Sequence, residues 1–328
     1  MTNHQDLIFV PEVELRDNQR MAEENPVRVE VERAVAKVVV SGVPEVVPHG
    51  DRIDNLKWGL DVTNMYTYWM RKMTFIANSG GVPNEMEQLN AGYREERYAE
   101  DPNFTRFSSW NGGNPVGQFE YLSGTPELSK NFDDYDYTLE NTMDAADQRH
   151  DVTTRVVISG TYTPNGFGSV ATRNGGGISF YYFKGNAIRV EAMRDMVNDR
   201  GQIPQELRDA GLEQAIENVL AWNPNAFNSP TASFSEGGIH FYYQGVCYYT
   251  VLIRHFSNNM VPVLMGYGRY GVVRNNVYQL SINKIIGPGQ PVINPPGTDP
   301  DDEDTSWISA DVNIMRWYIR NQNVEELL

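Results

Sequence analysis

Cysteine is almost missing from this chain. Its 328 residues include one, Cys247, so no intrachain disulfide can form. That cysteine lies in the apolar run HFYYQGVCYYTVLI, which marks it as a small buried hydrophobe rather than a reactive thiol. So low a count fits the cytosol, and equally a cell surface built without disulfides. Positive charge is scarce too: 27 Lys and Arg stand against 43 Asp and Glu, for a formal charge of −16. No basic face is available to neutralise phosphates, which excludes nucleic acid as a partner, and charge attraction to an anionic membrane is excluded for the same reason. No apolar run reaches the ~18 residues of a membrane span. The opening MTNHQDLIFV lacks the basic and long apolar regions of a signal peptide, so any export signal is expected to have been removed or to lie outside this chain.

The usual marks of catalysis are lacking as well. One Cys and five scattered histidines (His4, His49, His150, His240 and His255) supply no zinc pattern, and no two histidines stand at i, i+4. GFGSVATRNGGG has glycines but no Lys-Ser/Thr ending, so it reads as turns rather than a phosphate loop. No serine sits in a nucleophile elbow. Two of the many carboxylates could meet in a cleft and make a glycosidase, but nothing selects a pair. The run Asp299–Asp304 lacks the glycine and spaced ligands of a calcium loop, and reads as a solvated acidic linker. The expectation is a protein without catalytic residues, metal or cofactor.

What is present points to β structure. Tyr (18), Phe (13) and Trp (6) are plentiful, and Gly (28) and Pro (18) punctuate the chain. Val27, Val29 and Val31 alternate with charged residues and predict a strand that changes face near Ala34; Leu56, Trp58, Leu60 and Val62 predict another. Ser79 to Thr138 reads as long loops and short strands. DVTTRVVISGTYTPNG is a strand ending in a turn, and a domain boundary is expected just before it. ISFYYFKGNAIRVEAM predicts two short strands turning at Lys184-Gly185-Asn186. A helix is expected from Pro204 onward, with Leu212, Ile216, Val219 and Leu220 on one face. Further strands follow, including one in which Tyr278, Leu280 and Ile282 point the same way. Clustered strands with few helices predict an all-β chain of antiparallel sandwiches. The expected division is an N-terminal sandwich over 1–150, a C-terminal sandwich over 151–286, and a Pro/acidic linker with a last strand over 287–328.

The tail is the main functional clue. From Gly287 to Thr305, prolines and like charges predict an extended linker. Its 19 residues, at ~3.3 Å each, could reach about 60 Å, well beyond the ~15 Å radius of gyration of a 150-residue domain. Beyond it, Ile308, Ala310, Val312 and Ile314 share one face of a strand, while Met315, Trp317 and Ile319 continue in the other phase, so a bulge is expected near Met315. Five or six apolar side chains await burial at ~1.5–3 kcal/mol each. Such a strand either folds onto its own domain or adds to the sheet of another copy; the second contact is head-to-tail and builds an open filament.

Several segments tilt that choice. NPVRVEVERAVAKV, WGLDVTN, YREERYAEDPNF, YTLENTMDAADQ followed by TTRVVISGTY, and YGVVRNNVYQLSI together resemble the shaft fimbrilins of Bacteroidia type V pili, most closely the main subunit of Porphyromonas-type short (minor) fimbriae. The resemblance spans nearly the whole chain in the same order. It implies two transthyretin-like Greek-key sandwiches, a lipoprotein precursor, and arginine-specific proteolysis that removes an N-terminal strand. The groove so opened accepts the C-terminal strand of the next subunit. The matching donor is Trp307–Leu327, with Ile308, Val312, Ile314, Met315, Trp317 and Ile319 as its plugs. Implied partners are other copies of the chain, anchor and tip fimbrial subunits, host or bacterial surface receptors, and the maturation protease. The implied place is the outer surface of a Gram-negative cell, with roles in adhesion, biofilm and virulence. The family's lipidated cysteine and cleaved strand have no counterpart here, so an N-terminal portion is expected to be missing and none of Arg16, Arg20 or Arg28 is assigned as the processing site. A secreted carbohydrate-binding or hydrolytic β-sandwich is the alternative; an aromatic platform with a convergent carboxylate pair would favour it.

Overall fold

The alternation of small β-branched residues in VAKVVV already dictates a strand with one dry face: in the segment Val35–Ser41, Ala36, Val38 and Val40 are fully buried while Val35, Lys37 and Val39 are half-exposed. The computed structural model describes residues 2–3, 18–24, 31–70, 99–105, 117–143, 147–168, 177–255, 269–301 and 308–316. Within them the strands are β1 (Thr2–Asn3), β2 (Val31–Glu32), β3 (Val35–Ser41), β4 (Glu45–Val47), β5 (Arg52–Asp61), β6 (Thr63–Asn64), β7 (Phe119–Glu120) and β8 (Tyr135–Leu139) in the first half. They continue as β9 (Arg155–Thr163), β10 (Phe180–Phe183), β11 (Asn186–Arg189), β12 (Phe234–Glu236), β13 (Ile239–Tyr242), β14 (Val246–Leu252), β15 (Asn276–Ile286) and β16 (Ile308–Arg316). The helices are short: α1 (Gln19–Glu24), α2 (Pro102–Thr105), α3 (Val190–Asn198), α4 (Gln205–Asp209) and α5 (Leu212–Trp222). The described chain is mostly β with few short helices.

Two sheets enclose the main core. One is five-stranded, in the order β16–β15–β3–β8, with β4 also on β15; the other is three-stranded, β14–β9–β5. Ala36, Val38 and Val40 of β3 and Tyr278, Leu280, Ile282 and Ile285 of β15 share a buried cluster with Trp58 of β5, Val156 and Ile158 of β9, and Cys247 and Tyr249 of β14. The period-2 patterns read from Leu56–Leu60 and Tyr278–Ile282 therefore face this core from its two sheets, whereas Val62, beyond the end of β5, packs in a separate cluster with Phe119 and Val152. β3 and β4 both run parallel to β15, one after the other. Gly42 makes that possible between them: its φ is +111°, and a Cβ there would stand 2.5 Å from the Ile282 carbonyl oxygen.

The strands do not divide at residue 150. β9 pairs with β5 on the far side of that point, and β15 pairs with β3 and β4. Where two sandwiches, 1–150 and 151–286, are expected, one two-layer β body draws strands from both segments. The second buried cluster is of another kind. A four-stranded sheet, β11–β10–β13–β12, carries α3 and α5 against it, and Tyr181, Phe183, Ile239 and Phe241 meet Met193, Met196, Leu212, Ile216 and Val219. This unit lies between β9 and β14, which are antiparallel neighbours in one sheet.

The hairpin turn at Lys184-Gly185-Asn186 forms as expected, with Phe183 opposite Asn186. The expected helix is split: α4 ends before Gly211, whose φ of +90° interrupts the helical path, and α5 carries the apolar face. The segment after Arg189, read as strand, is α3 instead; Met193 and Met196 are its buried side. Among the described residues, no helix is long and apolar enough to cross a membrane.

Candidate assembly site at the C-terminal strand

β16 is an edge strand, antiparallel to β15 of its own chain. The register sets Ala310, Val312 and Ile314 opposite Ile282, Leu280 and Tyr278, three of the buried residues of β15, and sets Met315 opposite Val277 and Ile308 opposite the buried Ile285. Val312 is half-buried and packs against the main core. Trp317 and Ile319 lie outside the described residues. No irregularity falls at Met315; the register shifts instead between Ile282 and Lys284, opposite Ala310 and Ser309. The bulge expected near Met315 thus belongs to the partner strand.

The opposite edge of the same sheet, β8, carries charge. On β8, the Asp136 carboxylate accepts the Tyr137 backbone N–H at 2.9 Å and lies 3.7 Å from the Lys130 ammonium. Charged side chains on an edge strand discourage strand addition.

Ahead of β16, the stretch that composition reads as a free linker is bonded to the body at both ends of its described length, 287–293 and 299–301. Tyr249 and Tyr242, both buried, donate their hydroxyls to the carbonyls of Gly287 (2.8 Å) and Gly289 (2.6 Å). Burial raises both phenols well above their ordinary range, so they serve as neutral donors. Gln290 exchanges two backbone hydrogen bonds with Tyr248 (2.8 and 2.9 Å), and Ile293 exchanges two with Gly124 (2.9 and 2.7 Å). Ile293 is buried against Leu128, Val157 and Tyr248. Gly289, with φ of +58°, brings the chain so close to β14 that a Cβ would stand 2.4 Å from the Tyr248 oxygen. Further on, His150 N–H donates to Asp299 (3.1 Å), Asp301 N–H donates to Gln148 (3.2 Å), and the Thr153 hydroxyl reaches the Asp301 carboxylate at 2.5 Å. Of the acidic run, Asp299 is exposed and Asp301 is 3% exposed. The reading of the linker is corrected over 287–293 and 299–301, while 294–298 between them is largely exposed: main-chain groups pair whatever their side chains, so a polar, proline-rich composition does not report them.

A buried polar layer fixes the end of the sheet where β15 begins. The Arg274 guanidinium pairs with Glu140 at 2.9 Å and also donates to the Tyr68 carbonyl and the Thr67 hydroxyl, each at 2.9 Å. The Arg155 guanidinium pairs with Asp61 at 2.7 Å, and Asp61 also accepts the N–H groups of Val62 and Leu122. Asp101 accepts from Asn103, Asn64 and Thr142; burial outweighs these bonds and raises its carboxyl to about 7. These groups bond chiefly to one another and read as structural; the buried Arg155 Nη2 is held by its ion pair with Asp61 alone. Among the described residues, no group of three or more His, Cys, Asp or Glu could hold a metal ion.

With the strand and its anchor in view, similarity to known proteins is informative. Residues 240–323 match the family model described as major fimbrial subunit protein type IV, fimbrillin, C-terminal. That span begins in β13 and runs through β14, β15, the anchored stretch and β16. No curated protein sequence matches the chain. Among solved structures, a fimbrilin from Porphyromonas gingivalis W83 is 15% identical, with 90% of this chain and 61% of that one covered and a TM-score of 0.36. A protein from Parabacteroides distasonis, provisionally described as a cell adhesion protein, is 15% identical over 87% of this chain and 52% of its own, with a TM-score of 0.27. The chain thus spans between half and three-fifths of the length of these two structures.

Proposed function

We propose that this chain is a structural subunit of a surface fimbria, a shaft protein without an active site, that polymerises when its C-terminal strand enters the sheet of the next copy. The family match over 240–323 carries the reading, because it takes in the last strand together with the strand it lies on. On this reading β16, lying on its own β15, occupies the position that a neighbour's donor strand takes in the filament. Ile308, Val312, Ile314, Met315, Trp317 and Ile319 are the side chains that fill the neighbour's groove. The geometry of the sheet favours this edge over the other, which Asp136 guards.

Partners then follow as a head-to-tail series of copies, completed by anchor and tip subunits, with surface receptors for adhesion and biofilm growth. Maturation runs through a lipoprotein precursor and an arginine-specific protease, and places the fibre on the outer surface of a Gram-negative cell. The test is direct. The purified chain, treated with arginine-specific protease, should form filaments visible by electron microscopy; a product that stays monomeric at high concentration would remove the reading.

A further inference from the structure

We propose that the part of the tail that leaves for a neighbour begins after Asp301 rather than at Gly287, so that the partner, a second copy of this chain, must present its slot close to Asp301. The inference rests on the reading that the chain polymerises through its tail, and it adds a pivot and a reach to it. Residues 287–301 are held at three successive points: the Tyr249, Tyr242 and Tyr248 contacts at 287–290, the Gly124 pair at Ile293, and the Arg149 bridge at Pro300 flanked by Asp301. Peeling this stretch would expose Ile293, now 3% exposed, and would strip the Thr153 hydroxyl from the buried Asp301 carboxylate. β16 is held by its ladder to β15 and by Val312 against the main core, and as an edge strand it can be exchanged for an identical one that restores both contacts at no net loss.

Six residues, 302–307, separate the anchor from Ile308. Fully extended, the path from Asp301 to Ile308 covers about 25 Å. A linker free from Gly287 would cover more than twice that. Neighbouring subunits on a short tether must sit nearly in contact, which sets a tight and regular repeat along the fibre.

A disulfide placed across the anchor tests the pivot. Arg149 and Pro300 are bridge partners flanked by the His150–Asp299 and Asp301–Gln148 hydrogen bonds. That is the narrow type of antiparallel pair, with Cα atoms about 4.5 Å apart, within disulfide range. The double variant Arg149→Cys/Pro300→Cys should form filaments at the same rate oxidised as reduced. In filaments of the parent chain, the amides of Gln290, Ile293 and Asp301 should keep the hydrogen-exchange protection they have in the monomer. Filaments from the reduced variant but none from the oxidised one would overturn the pivot, as would a loss of about tenfold or more in protection at those amides on assembly. If the reduced variant does not assemble while the parent does, the exchange measurement on the parent decides. A parent chain that never assembles defeats the fimbrial reading itself, an outcome distinct from the other two.

Discussion

Arg274 and Glu140 meet at 2.9 Å with side chains 1% and 3% exposed, across 134 residues of sequence. The pair joins the start of β15 to the end of β8 and, through Tyr68 and Thr67, to the segment after β6. Removing one partner leaves the other charged and dry. Glu140→Gln should therefore cost about 3–5 kcal/mol, as should Arg274→Met. The midpoint of urea unfolding reads this directly, and a change under 1 kcal/mol (roughly the worth of an exposed pair) would show that the layer is solvated.

Asp101 gives the fold a pH dependence of a definite sign. Its carboxyl ionises near 3.8 in an unfolded chain and near 7 in the fold, because burial opposes the charge more than its hydrogen bonds favour it. Between those values the folded state holds the extra proton, so stability falls as pH rises from about 4 to about 7 and the loss is complete above that. The effect of this residue alone is of order a few kcal/mol. Asp101→Asn cannot titrate, so subtracting its stability–pH curve from that of the parent isolates the slope. Parallel curves would mean that the carboxylate is stably ionised in the fold.

Cys247 should be silent in the native protein. It is fully buried, and burial pushes its thiol up to about 12. A thiol reagent at pH 8 should label it only after denaturation. Rapid labelling of the folded chain would reveal an opening between β14 and β9.

Truncation after Thr305 removes β16 and bares one edge of β15, yet it leaves Tyr278, Leu280 and Ile282 packed against the second sheet. The shortened chain should fold, melt a few degrees lower, and fail to form filaments. Val312→Asp should act the same way on assembly, since an unpaired carboxylate is not buried in an apolar slot for less than several kcal/mol. Melting and electron microscopy on the same samples separate the outcomes. Global unfolding of the truncated chain would make β16 an ordinary last strand.

How far the sequence foretold this structure depends on the range of the interaction concerned. Alternation along Tyr278–Ile282 reported a core face, and Lys184-Gly185-Asn186 reported its hairpin, because each signal is contained within a few residues. α3 was also legible in principle: Met193 and Met196 stand one turn apart, but Val190 beside the end of β11 prolonged the look of a strand. The partition of the chain was not legible. It depends on Val277 lying beside Lys37 and Asp61 beside Arg155, and no local pattern names a partner that far away. The anchored linker was hidden for a different reason, since its hold is largely on backbone carbonyls and amides. Its two side-chain clues, Ile293 and Asp301, look in sequence like an ordinary apolar residue among prolines and one acid among several.

The α/β unit between β9 and β14 is, in the path of the chain, the loop of a hairpin. Thr161 and Val246 are paired across the ladder although most of a small domain lies between them. Its entry and exit are thus a strand's width apart, and the two-layer body closes beneath it without a break. A different module with similarly close ends could stand in its place, provided that it supplied substitutes for Phe180 and Tyr242, the stacked rings 4.7 Å apart that the unit lends to the main core.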